Sequence, residues 1–136
     1  MRKIVGISLV TLLCLMPYSL ATAGFDGSAP LICALIEVFE CSVEQDCIEG
    51  TVESMNIPQF VKIDFAKNRI VTTEEISEKR ESPINNFDKV NGMLILQGVQ
   101  NGRGWSMVIA EDTGKMTATA SGSGGGFVIF GACTLD

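Results

Sequence analysis

Gly104-Trp105-Ser106-Met107-Val108-Ile109-Ala110-Glu111-Asp112-Thr113-Gly114-Lys115-Met116-Thr117-Ala118-Thr119-Ala120 is the stretch whose reading decides the fold. Trp105, Met107 and Ile109 fall on one side of an extended backbone, with Ser106 on the other. After a polar break, Met116, Ala118 and Ala120 alternate with Lys115, Thr117 and Thr119. A period of two is what a strand with one buried face requires. Glu-Asp-Thr-Gly between the two runs supplies turn residues, so the stretch reads as an antiparallel hairpin.

The same pattern extends in both directions. Asn91-Gly92, Asn101-Gly102 and Thr113-Gly114 recur at spacings of 10 and 12 residues. Asn-Gly suits tight hairpin turns because both residues tolerate positive φ. Val61, Ile63 and Phe65 alternate with Lys62 and Asp64, and Pro58 precedes them where a missing amide proton does little harm. Phe127-Val128-Ile129-Phe130 is apolar on both faces and predicts a well-covered strand. Strands are predicted over 60–65, 69–73, 84–90, 93–99, 104–110, 115–120 and 126–132. Residues 31–40 are open to two readings. Ile32, Leu35, Ile36 and Phe39 fit a helical stripe behind Ser28 and Pro30, and the same residues fit a buried strand. The fold class is therefore mainly β. It is an antiparallel meander of about seven or eight strands, curling into a small barrel or strongly curved sheet, with or without a short N-terminal helix. The strands look nearer six residues than the eight of a wide barrel, which favours a filled interior. Residues 74–83 carry charges of alternating sign and read as a solvated loop or one exposed helical turn. Ser121-Gly122-Ser123-Gly124-Gly125-Gly126 reads as a flexible hairpin loop.

Residues 1–23 have a different character. Met1-Arg2-Lys3 is a basic start, Ile4 to Leu15 is almost wholly apolar, and Ala21-Thr22-Ala23 places small residues where a signal peptidase reads. This predicts a secretory signal peptide over 1–23 and a single domain over 24–136. Leu13 before Cys14 argues against lipid anchoring, because a lipoprotein signal wants a small residue there. The expected location is periplasmic or secreted. Arg2 and Lys3 belong to the leader, so the domain keeps eight basic residues against sixteen acidic ones, a net charge of −8. Such a surface disfavours nucleic acid and anionic membrane surfaces, and is compatible with cationic proteins, peptides or divalent metal.

The domain has four cysteines, an even number that in an exported chain argues for disulfides. Cys33 and Cys41 are eight residues apart, roughly 26 Å in a strand or 12 Å in a helix. Both exceed the roughly 7 Å reach of a disulfide. Cys41 and Cys47 flank a polar stretch that can turn back on itself. The most economical pairing is Cys41–Cys47 as a local clip and Cys33–Cys133 joining the ends of the domain. Zinc held by four thiolates is the rival, disfavoured by the absence of a C-x-x-C pair.

The chain has no histidine, so serine–histidine and cysteine–histidine machinery is excluded. No cofactor and no metal site is expected. The glycine run lacks the Gly-Lys-Ser/Thr of a phosphate loop and leads into a strand. Asp112-Thr113-Gly114 matches the triplet of aspartic proteases, but Glu111 and Lys115 flank it where that family places apolar and small residues. A polar turn is the better reading of Asp112, and an aspartic-type hydrolase stays a remote alternative. Arg103 and Trp105, beside Gly102 and Gly104, are candidate binding residues at an exposed edge. A core tryptophan beside a turn is the plainer reading.

The chain resembles a group of small exported proteins of proteobacteria to which no activity is attached. The resemblance rests on Pro30-Leu31-Ile32-Cys33-Ala34, on Cys41 with Cys47, and on Asn56-Ile57-Pro58-Gln59-Phe60. It continues through Leu96-Gln97-Gly98, Gly104-Trp105-Ser106, Thr113-Gly114-Lys115 and Gly126-Phe127-Val128-Ile129-Phe130-Gly131-Ala132-Cys133. It implies an intact family domain and transfers no function. Two function classes follow from the residues. The first is a non-enzymatic periplasmic protein-interaction or inhibitor-type module with an unknown protein partner. Inhibitors of c-type lysozyme are of that type, although the Ser-Gly-x-x-Tyr loop they use is missing here. The second is a small carrier with an apolar ligand in a barrel cavity.

Overall fold

The computed structural model describes residues 25–73 and 79–136. The predicted leader, its cleavage point and residues 74–78 of the charged run lie outside the described residues. Ten strands are present among the described residues: β1 (Leu31–Ser42), β2 (Ile48–Gly50), β3 (Phe60–Asp64), β4 (Arg69–Thr72), β5 (Glu81–Pro83), β6 (Asn86–Val90), β7 (Met93–Gln100), β8 (Arg103–Ala110), β9 (Lys115–Gly122) and β10 (Gly125–Leu135). Nine of them run in the order β5-β4-β3-β1-β10-β9-β8-β7-β6, with β2 paired to β1 beside that path. The sheet is antiparallel and curls into a half-barrel.

Residues 31–40 form a strand, which settles the open reading. β1 sits at the centre of the sheet, pairing with β10 on one side and with β2 and β3 on the other. A helix there would have left β3 and β10 without a common neighbour. A bulge between Leu35 and Glu37 shifts the register and leaves Ile36 63% exposed. It changes the phase of the strand, so that Leu31, Cys33 and Leu35 point inward before the bulge and Val38 after it. Bulges bend the strand that carries them.

The turns follow the sequence closely. Asn91-Gly92 and Asn101-Gly102 have φ of 50° and 76°, and of 50° and 75°. Both residues of each pair are left-handed, the arrangement whose twist matches that of the flanking strands. Ser121–Gly126 is tighter than expected. β9 runs to Gly122 and β10 begins at Gly125, so the loop is a two-residue connection between paired strands. Phe65 leaves the β3 alternation and starts a short 3-10 turn, Phe65–Lys67, capped by the Asp64 carboxylate on the Lys67 amide.

Both disulfides form as expected, Cys33–Cys133 and Cys41–Cys47. Cys33 and Cys133 are register partners on the inner face of β1 and β10, and their link closes a separation of 100 residues. Cys41–Cys47 clips the β1–β2 hairpin.

The core lies at one end of the half-barrel. Leu31, Cys33, Ile63, Leu94, Leu96 and Ile109 are fully buried there, with Met116 and Cys133 beside them. Phe25 closes that end: its amide donates to the Glu111 carbonyl, and its ring lies against Gly114. The outer face is less covered than the apolar run 127–130 predicts, since Phe130 is 41% exposed and stacks edge-on against Phe39.

Candidate functional site

The other end of the half-barrel is open. The inner faces of the same strands diverge there into a cavity of about 820 Å³. Small side chains make the space. Along β9 the inward positions run from Met116 at the floor to the two alanines, Ala118 and Ala120, toward the mouth. Ala118 faces Met107 and Ile129 in the register, and Ala120 faces Trp105 and Phe127. Leu35, Val61, Ile70, Met107 and Ile129 supply the apolar wall. The strand lengths correct the expectation of a filled interior. β7, β8 and β9 have eight residues each, β10 has eleven and β1 has twelve. Strands of that length both fill a floor and leave a cavity above it.

Trp105 belongs to this cavity. It is half-buried and packs on the core, and its indole N–H donates to the Ser82 hydroxyl at 2.8 Å. Gly98, directly opposite on β7, gives the ring its place. A Cβ at Gly98 would collide with the indole and with the Pro83 carbonyl oxygen. The ring is thus neither an exposed edge residue nor a fully enclosed core residue, but part of the cavity wall.

Arg103 lies two residues before Trp105, at the rim. Its guanidinium stands 5.6 Å from the centre of the Phe127 ring, a cation–π distance, and its stem runs past Gly122. It also borders a second cleft of about 350 Å³, formed with Glu40, Asn101 and the glycines of the β9–β10 hairpin. Both residues singled out in the sequence therefore meet at one cavity.

Part of the rim was missed. Residues 51–57 form a compact turn in which the Ile57 amide donates to the Val52 carbonyl. That turn places Met55, Asn56 and Ile57 over the cavity. Arg80 fastens it, donating from Nη1 to the Asn56 carbonyl at 2.7 Å and from Nη2 to Asn56 Oδ1 at 2.9 Å. Asn56 has φ of 52°. The signal in the sequence was Asn56 between Met55 and Ile57, an αL-tolerant residue flanked by apolar ones. Nothing local joins it to Arg80, 24 residues on.

Asp112 lies exposed in the β8–β9 turn, away from the cavity. Asp26 is a carboxylate whose titration is displaced. The Ser28 hydroxyl and amide hold it below the ordinary value, and it does not line the cavity. Among the described residues no three histidine, cysteine, aspartate or glutamate side chains gather as a metal site, and no helix is long and apolar enough to cross a membrane. No protein-family model, curated protein or solved structure matches this chain.

Proposed function

We propose that the protein is a non-enzymatic, exported binding protein that carries an elongated apolar ligand in the open half of the barrel. The cavity is the observation that carries the reading. Its volume lies within the range of about 300–1,000 Å³ usual for small-molecule sites. Its wall combines aliphatic side chains and two aromatic rings, Trp105 and Phe127, with nearly as many polar and charged residues. The two disulfides are consistent with an oxidising compartment. The strands that carry the cavity are eight to twelve residues long.

A neutral naphthylamine dye tests the reading. Its fluorescence should rise in the presence of the protein, and Ala118→Phe, which fills the cavity, should abolish the rise. Ala120→Leu, nearer the mouth, serves as a second filler if the first unfolds. Unchanged dye binding in a folded filled variant rejects the cavity as the site.

Protein interaction is the second reading. It is favoured by an apolar strip on the outer face, where Ile36, Phe60 and Phe130 are all exposed. Ile36→Ser with Phe130→Ser should leave dye uptake intact under carriage. Loss of a partner with uptake retained would favour the second reading.

A further inference from the structure

The basic residues of the domain divide into two sets. Lys62, Lys67, Arg69 and Lys89 pair with Asp136, Asp64, Glu81 and Glu111. Lys79, Arg80, Arg103 and Lys115 pair with no carboxylate among the described residues. Three of those four, Lys79, Arg80 and Arg103, line the cavity, and all three are exposed at its rim. One carboxylate, Glu81, shares that lining, and Arg69 from outside the cavity occupies it at 2.8 Å.

From this juxtaposition we infer that the ligand is a single-chain anionic amphiphile, a long-chain carboxylate, with its head among Lys79, Arg80 and Arg103 and its tail against Val61, Met107 and Ile129. The inference rests on the carrier reading. Charge complementarity carries it: the chain is acidic, with net charge −6, and yet three of the four cations without a carboxylate partner among the described residues gather at one mouth. The surface as a whole repels an anionic membrane, while a local cationic rim over an apolar cavity selects one anionic molecule. Two of the cations are already positioned. Arg80 is held on Asn56 by two hydrogen bonds, and a guanidinium has five N–H donors, so donors remain for a ligand. Arg103 lies over Phe127 and faces both the cavity and the polar cleft beside it. A planar guanidinium suits a carboxylate in two-point contact, which a bare alcohol cannot reproduce.

The test uses the purified protein with its disulfides intact, and three probes of one chain length: dodecanoate and dodecyltrimethylammonium below their micelle concentrations, and 1-dodecanol below its solubility limit. Trp105 is the sole tryptophan and lines the cavity, so its emission reports occupancy. Dodecanoate should bind about tenfold or more tightly than dodecanol, because hydrogen bonds to a charged group add that much. The ammonium probe should bind weakest. Lys79→Gln with Arg103→Gln, which spares the contact of Arg80 with Asn56, should remove most of the preference for dodecanoate and leave dodecanol binding nearly unchanged. If that pair unfolds, Arg103→Gln alone should reduce the preference. Equal binding of dodecanoate and dodecanol overturns the inference and leaves the carrier reading standing. Binding of none of the three overturns both.

Discussion

Gly98 and Trp105 face each other directly across β7 and β8, and the indole fills the space that any side chain at 98 would need. The cavity wall is thus set by a pair, a glycine that yields and a tryptophan that occupies. Gly98→Ala should destabilise the protein by about 1–3 kcal/mol, the usual cost of overpacking. It should also displace the ring, changing tryptophan emission before any unfolding. A melting curve and an emission spectrum check both. Unchanged emission would mean that the ring does not rest on Gly98.

Trp105 is held by packing and by Ser82. Ser82→Ala removes the indole's acceptor at 2.8 Å and should cost about 1 kcal/mol, read from denaturant unfolding. Trp105→Ala should cost about 2–4 kcal/mol, near the lower part of the range for a large core aromatic because the side chain is half-buried. It should also weaken ligand uptake under conditions where the variant remains folded. A loss near zero would place the ring outside the wall.

The two disulfides should differ in weight. In the chain-entropy treatment the link that closes a separation of 100 residues contributes about 4–5 kcal/mol, and the six-residue clip about 2. Cys33→Ala with Cys133→Ala should therefore lower stability more than Cys41→Ala with Cys47→Ala. Equilibrium unfolding of the two double variants decides it. The reverse order would show that the β1–β10 register holds without its link.

Asp112→Ala should cost about 1 kcal/mol or less, the scale of an exposed turn substitution. It should leave ligand uptake unchanged. Peptide cleavage at acid pH that disappears in Asp112→Asn would reject the turn reading.

Much of this architecture was legible because period-two alternation and turn chemistry are local. Asn91-Gly92 and Asn101-Gly102 sit where the hairpins turn, and Met116, Ala118 and Ala120 point inward as their spacing required. The disulfides were legible because chain geometry excluded Cys33–Cys41 and the polar stretch between Cys41 and Cys47 made a local clip the more economical of the two pairings left. β2 and β5 were not, since three-residue strands are defined by their partners and not by their own pattern. β1 was ambiguous for a related reason: its bulge breaks the alternation that would have marked it as a strand. Arg103 and Trp105 could be named from their glycine neighbours. Arg80 and Asn56 could not, because their contact spans β3, β4 and the turn before them. The cavity itself was hidden in residue size. Ala118, Ala120 and Gly98 each read as ordinary strand residues, and only the register brings these small residues together at the cavity.

The most direct measurement of the carrier claim is a methionine-methyl NMR titration with dodecanoate. Met55 and Met107 line the cavity, Met116 is buried in the closed floor, and Met93 is exposed on β7. Saturable shifts at Met55 and Met107, with Met116 and Met93 unmoved, are the predicted result. Shifts confined to Met93, or none at Met55 and Met107 at any ligand concentration below the micelle limit, would contradict it.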